Sequence, residues 1–133
     1  MKLKTFNQSN LPIVSRGKPT IRFSKSAGLV SISQQAATNL GLTKGMRIEL
    51  CQNEDVPTDW YIHVTENESG FELRTKDGGD IGYRAFNCTS IVRKVLESLN
   101  LDGGASFAVS KEPEVIDGEK YYFIITRNPI AGK

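Results

Sequence analysis

The stretch NLGLTKGMRIEL at Asn39–Leu50 lines up without a gap against SLNLDGGASFAV at Ser98–Val109, a shift of 59 residues. Both read as a helix end, a leucine, a turn containing glycine and a strand of alternating character. The loops beyond them also agree. Glu54, Asp55, Pro57 and Asp59 in one are matched by Glu112, Pro113, Glu114 and Asp117 in the other, and these lead into WYIHVT and YYFIIT. Self-similarity at a fixed spacing indicates an internal duplication, each copy being strand, strand, helix, strand, strand. A unit of roughly 45 residues buries too little surface to stand alone, so the copies are expected to share one core. The predicted fold class is therefore mainly β (α+β), with the duplicated units forming one intramolecular pseudo-dimeric barrel with two short helices. Residues 20–133 form a single domain in this reading, built from repeats 20–66 and 71–127.

Local patterns fill in the elements. Ile21 and Phe23 alternate with Arg22 and Ser24, and Val30 and Ile32 with Ser31 and Ser33, the period of strands with one wet face. Ser33 is placed to cap a helix over Gln34–Leu40, Gly41 supplies a left-handed stop, and Met46, Ile48 and Leu50 resume alternation. Trp60, Ile62 and Val64 are expected to face inward, and Tyr61 and His63 outward. A turn at Asn67–Gly70, a strand at Phe71–Thr75, a tight DGGD turn at Asp77–Asp80 and a strand at Ile81–Phe86 follow. Thr89 or Asn87 then caps a helix running to about Leu99, with Ile91, Val92, Val95, Leu96 and Leu99 as its apolar stripe and Asn100 in place of a terminal glycine. Met1–Pro19 has no sustained period and reads as an extended or disordered basic arm.

Charge is unevenly spread. Residues 1–48 hold Lys2, Lys4, Arg16, Lys18, Arg22, Lys25, Lys44 and Arg47 and no acid, a charge of +8, while the rest of the chain carries −6 within a net charge of +2. A segment of this kind attracts polyanions such as nucleic acid, or the acidic half of the same molecule. With 38% hydrophobic and 24% charged residues, and no apolar run near the roughly 20 residues of a membrane span, no membrane partner is expected. The first twenty residues lack the apolar segment of a secretory signal, so a cytoplasmic address is expected. Cys51, Cys88 and the single His63 fit no zinc spacing or disulfide framework.

GLVSISQQAATNLGLTKGMRIEL at Gly28–Leu50 resembles the AbrB/MazE/SpoVT swapped-hairpin family of transition-state regulators and antitoxins. Gly28, Val30, Ile32, Leu40, Gly41, Leu42, Gly45, Ile48 and Leu50 fall on its pattern. The resemblance spans residues 20–66, with a degenerate second copy at 80–126. It implies a compact barrel of interleaved hairpins that binds duplex DNA through basic residues of the strand face and first loop, here Arg22, Lys25 and Arg47 with Lys44 beside them. The chain departs from the family at Ser33, Gln34 and Gln35, where proline and charged residues are usual, and at NCTSI (Asn87–Ile91) in the second copy. One basic face rather than two is the consequence.

The expected phosphate-contacting residues are Arg22, Lys25, Lys44 and Arg47, joined by Arg16 and Lys18 of the arm. The SKSAG stretch at Ser24–Gly28 reads as a hairpin turn or a small-residue phosphate cradle. Tyr61 and Tyr122, one residue into matched strands and expected on the face opposite the core residues, are candidate stacking platforms for single-stranded nucleic acid, or pack under loops or against the other copy. The strands from 46 to 86 followed by the helix at 89–99 also resemble, in topology alone, Whirly-type single-stranded DNA binders. A third reading is a protein-interaction module with no nucleic-acid role. No catalytic constellation, cofactor motif or metal spacing is present, so a non-enzymatic protein without cofactor is expected. Its expected partners are DNA and a possible protein, and its state a monomeric pseudo-dimer or a homodimer.

Overall fold

The computed structural model describes Leu3, residues 18–75 and residues 82–130, the side chain of Asn128 excepted. Most of the expected arm and all of the DGGD turn lie outside the described residues. The elements run β1 (Thr20–Ser24), β2 (Leu29–Ile32), α1 (Gln34–Leu40), β3 (Arg47–Gln52), β4 (Trp60–Thr65), β5 (Phe71–Glu72) and β6 (Arg74–Thr75). They continue β7 (Arg84–Asn87), α2 (Thr89–Ser98), β8 (Ala105–Val109), β9 (Glu114–Ile116) and β10 (Glu119–Ile130).

All pairings are antiparallel, in the order β5-β3-β4-β10-β8-β1-β2-β7-β6, with β9 on β10. The two ends of this path are consecutive in the chain, joined only by Leu73. Leu73 itself bonds across to the β3 side, its carbonyl accepting from Gly45 N at 2.8 Å and its N–H donating to Met46 O at 2.8 Å. The strand expected at Phe71–Thr75 is thus divided: its first half pairs with β3, its second with β7. That switch curls the sheet into a nearly closed barrel, which leaves few open edges.

Alternation decides what fills it. Ile21, Phe23, Val30, Ile32, Ile48, Ile62, Phe107 and Ile124 point inward and have no exposed surface. Phe23 meets Phe107 with ring centroids 6.0 Å apart, and Phe71 stacks on Phe86 at 4.3 Å. The indole of Trp60, buried as expected, donates to Ser98 Oγ at 2.8 Å, so burial leaves no unpaired N–H.

Helix α1 follows its sequence signals. Ser33 Oγ accepts from Ala36 N at 3.2 Å, Gly41 has φ +71°, and Ala36, Ala37 and Leu40 are buried. Helix α2 buries Val92, Val95 and Leu96, and Asn100 adopts φ +61°. Its start differs from expectation. Cys88, not Thr89 or Asn87, is the N-cap and makes no side-chain cap bond, because the Asn87 amide is drawn to Ala27 O (3.3 Å) and to Arg74. Strand β7 begins at Arg84, after Gly82 and Tyr83, which lie outside it; Ile81, where the strand was expected to start, is outside the described residues. The region after Glu112, read as a loop, forms a β9–β10 hairpin.

Candidate nucleic-acid interface

Residues on the outer face of a strand are those that alternate with its core residues, and cross-strand partners share a face. Arg22 lies between buried Ile21 and Phe23 and so faces out. Its partners are Ser31 on β2 and Ser106 on β8; Ser31 in turn pairs with Ala85 on β7, and Ala85 with Arg74 on β6. One outer row therefore reads Ser106, Arg22, Ser31, Ala85, Arg74. Two small residues separate two arginines, and three strand spacings span about 14 Å.

The Arg22 guanidinium donates to Ser106 Oγ at 3.2 Å and that of Arg74 to the Asn87 side-chain oxygen. Both partners are neutral, and neither arginine has an ion pair among the described residues. Each keeps its full charge and further N–H donors for a ligand.

The hairpin tip adds to this row. Arg22, Ser24, Lys25, Ser26, Gly103 and Gly104 line a cavity of about 350 Å3 between the β1–β2 turn and the turn after α2. Lys25 Nζ donates to Asp102 O at 2.9 Å, which holds the ammonium at the rim. Gly104 is required there: a Cβ on it would lie 2.8 Å from Phe23 O. Arg93 of α2 lies beyond Lys25, with Glu97 as the nearby acid.

Other expected contacts sit elsewhere. Arg47 and Arg22 were expected to share a face if their strands were neighbours, but β4, β10 and β8 separate β3 from β1 one way around the barrel and β5, β6, β7 and β2 the other. Arg47 is also engaged, donating to Gly70 O at 3.0 Å and lying 3.5 Å from Glu72 Oε1. Lys44 is exposed in the turn that bonds to Leu73, next in sequence to Arg74. Lys18 leads into β1, its carbonyl accepting from Ser33 Oγ at 2.9 Å, and Arg16 lies outside the described residues. Arg84 pairs with Ile32 and is 6% exposed, donating to Leu42 O at 3.0 Å and Gly82 O at 2.9 Å; it belongs to the interior. Arg74 and Arg93 were missed. The alternation of Phe71, Leu73 and Thr75 with Glu72 and Arg74 was the available signal for Arg74.

The two tyrosines part company. Tyr122 pairs with Ile62 and packs against the core, contrary to the outward orientation expected for it. Tyr61 does face out, where it meets Phe123 at 5.3 Å and the edge of Tyr121 at 6.5 Å. His63 stacks on Tyr121 at 4.6 Å, with Nδ1 3.2 Å from Glu49 and Nε2 2.9 Å from Glu119. Partial burial disfavours the charged ring, but the two carboxylate hydrogen bonds outweigh it and hold the His63 pKa above the usual histidine value. Burial raises the Tyr61 phenol, helped by Glu114 and Asp59. Burial followed by Glu49 raises the Cys51 thiol, the opposite of what a nucleophile needs. This face is negative, and the arginine row lies on another part of the barrel.

No helix among the described residues is long and apolar enough to cross a membrane, and no group of three or more His, Cys, Asp or Glu side chains among them is arranged to hold a metal ion. No protein-family model, curated protein or solved structure matches the chain.

Proposed function

We propose that the chain is a non-enzymatic duplex-DNA-binding module, of regulator or antitoxin-like type, that lays its β1-β2-β7-β6 face along the phosphate backbone. The observation that carries this reading is the Arg22, Ser31, Ala85, Arg74 row, whose two guanidinium groups have no ion pair among the described residues and are separated by two small residues. A separation of about 14 Å spans roughly four base-pair steps along the duplex axis at about 3.4 Å each. Lys25 and the glycine-lined cavity beside Arg22 supply a further cation and space for a phosphate oxygen.

Duplex is favoured over single-stranded DNA because the half-buried aromatic cluster and the arginine row are apart. Tyr61, Tyr121 and Phe123 are rimmed by Glu49, Glu114 and Glu119, which repel the backbone that base stacking would bring.

The duplicated, interleaved architecture belongs to the same proposal and has topological support. Exchanging β1, β2, β3 and β4 with the β5–β6 segment, β7, β8 and β10 leaves the circular strand order unchanged. The helix exits agree in detail: Leu42 N donates to Ala37 O at 2.8 Å, and Leu101 N, 59 residues on, to Leu96 O at 2.9 Å. The β1–β2 hairpin sits between β8 and β7, as a swapped hairpin does.

The test is fluorescence anisotropy of labelled duplex and single-stranded DNA of about 20 base pairs, two helical turns. Titration with the full chain from about 50 to about 200 mM salt should give duplex affinity that falls steeply with salt. Absence of duplex binding at the low-salt end refutes the proposal.

A further inference from the structure

The outer face on the far side from the arginine row is built by β9, β10, β4 and β3. In register, Glu114 faces Tyr121 and Ile116 faces Glu119 across the hairpin, Phe123 pairs with Tyr61, and Cys51 and Glu49 flank Tyr61 and His63. Glu114, Ile116, Glu119, Tyr121, Phe123, Tyr61, His63 and Glu49 thus share one surface. Its histidine, His63, is already held between two carboxylates. Lys120 pairs with Val115 and projects from the opposite face of the hairpin.

Strand β9 pairs only with β10, so no strand of the described residues occupies its other edge. The hairpin turns through Asp117 (φ +53°) and Gly118 (φ +81°), a two-residue loop whose closing pair, Ile116 and Glu119, is hydrogen-bonded. Antiparallel pairs alternate, so the N–H and C=O of Val115, the next residue, point away from β10 to the open edge. Val115 is 66% exposed and Ile116 47% exposed.

We propose that β9 is a docking edge for an extended, cationic segment of a partner protein. The segment adds to β9 as a strand, bonds the outward backbone groups of Val115, and lays arginine or lysine side chains over Tyr61, Tyr121 and Phe123 between Glu114, Glu119 and Asp59. Backbone pairing supplies affinity, alternate side chains supply selectivity, and cations over aromatic rings beside carboxylates supply the charge match. The Tyr121 phenol is raised by burial first, then by Cys51 and by the carboxylates of Glu119, Glu49 and Asp117. A second copy is a poor occupant. Two β9 edges meeting would bring Glu112, Glu114 and Asp117 of both copies together, and like charges across strands are destabilising.

The test uses the full chain and a labelled peptide of about eight residues, alternating arginine with valine, against its glutamate-for-arginine counterpart. The arginine peptide should bind and the glutamate peptide should not. Val115→Pro, which removes an outward N–H without breaking a hairpin bond, and Glu114→Lys should each weaken binding by about tenfold. Arg22→Ala should leave peptide binding unchanged, which separates this proposal from the DNA-binding one. Equal binding of the two peptides, or insensitivity to both Val115→Pro and Glu114→Lys, overturns the proposal. So does self-association that Val115→Pro abolishes in the absence of peptide binding.

Discussion

Arg47 lies 3.5 Å from Glu72 on its neighbouring strand, whereas Arg22, on the far side of the barrel, faces Ser106. Both arginines alternate with core residues and both were expected to hold phosphate. Arg47 has a carboxylate beside it to offset its charge, and Arg22 has only a neutral hydroxyl. Arg47→Ala should therefore change duplex affinity by less than about twofold, while Arg22→Ala weakens it by about tenfold. Glu72→Gln should release Arg47 and leave affinity equal or slightly higher. Parallel binding curves for the three variants decide the matter.

The contrast between those two arginines also marks what could be read from the sequence. Period-two alternation placed Ile21, Phe23, Val30, Ile32, Trp60 and Ile62 inside, and Ser33, Gly41 and Asn100 marked helix ends by local chemistry that needs no partner. Which strands lie beside which is a long-range property. Nothing local to Arg47 announces Glu72, and nothing local to Phe71–Thr75 announces a change of partner at Leu73. Tyr122 was misplaced because WYIHVT and YYFIIT were set side by side on their aromatic residues, two residues off the 59-residue shift of the preceding stretch, whereas the sheet sets Ile124 against Trp60 and Tyr122 against Ile62. The Asp117–Gly118 pair was a hairpin signal in plain view, overlooked because the acidic residues around it suggested a loop.

His63 gives the barrel a pH dependence with a definite sign. Glu49 on β3 and Glu119 on β10 present only acceptors to its two nitrogens, so both bonds require the protonated ring; Tyr121 stacks above it, and Lys120 and Tyr122 line the same cleft. Its pKa is raised in the folded state. The stabilisation is therefore complete below the unfolded value of about 6.5 and is lost as pH rises through the higher folded value. Denaturation midpoints measured between about pH 6 and about pH 9 should fall across this window in the native chain and much less in His63→Gln.

Two adjacent glycines should respond differently to the same methyl group. A Cβ on Gly104 meets Phe23 O at 2.8 Å, and because that atom belongs to the backbone of β1 the strand itself must move. A Cβ on Gly103 meets nothing within 4 Å. Gly104→Ala should cost about 1–3 kcal/mol and reshape the cavity beside Arg22 and Lys25, whereas Gly103→Ala should lie within about 0.5 kcal/mol of the native chain. Urea denaturation of both variants provides the comparison.

The account rests on Arg22 and Arg74 acting together on one phosphate backbone. The direct measurement is the slope of log affinity for duplex DNA against log salt, for the native chain and for the Arg22→Ala, Arg74→Ala double variant, each first verified as folded by circular dichroism. Each phosphate contact contributes about −0.9 to that slope. The double variant should bind more weakly and show a slope shallower by about two. An unchanged slope, with the native chain bound to DNA, would place the contacts on another face and contradict the account.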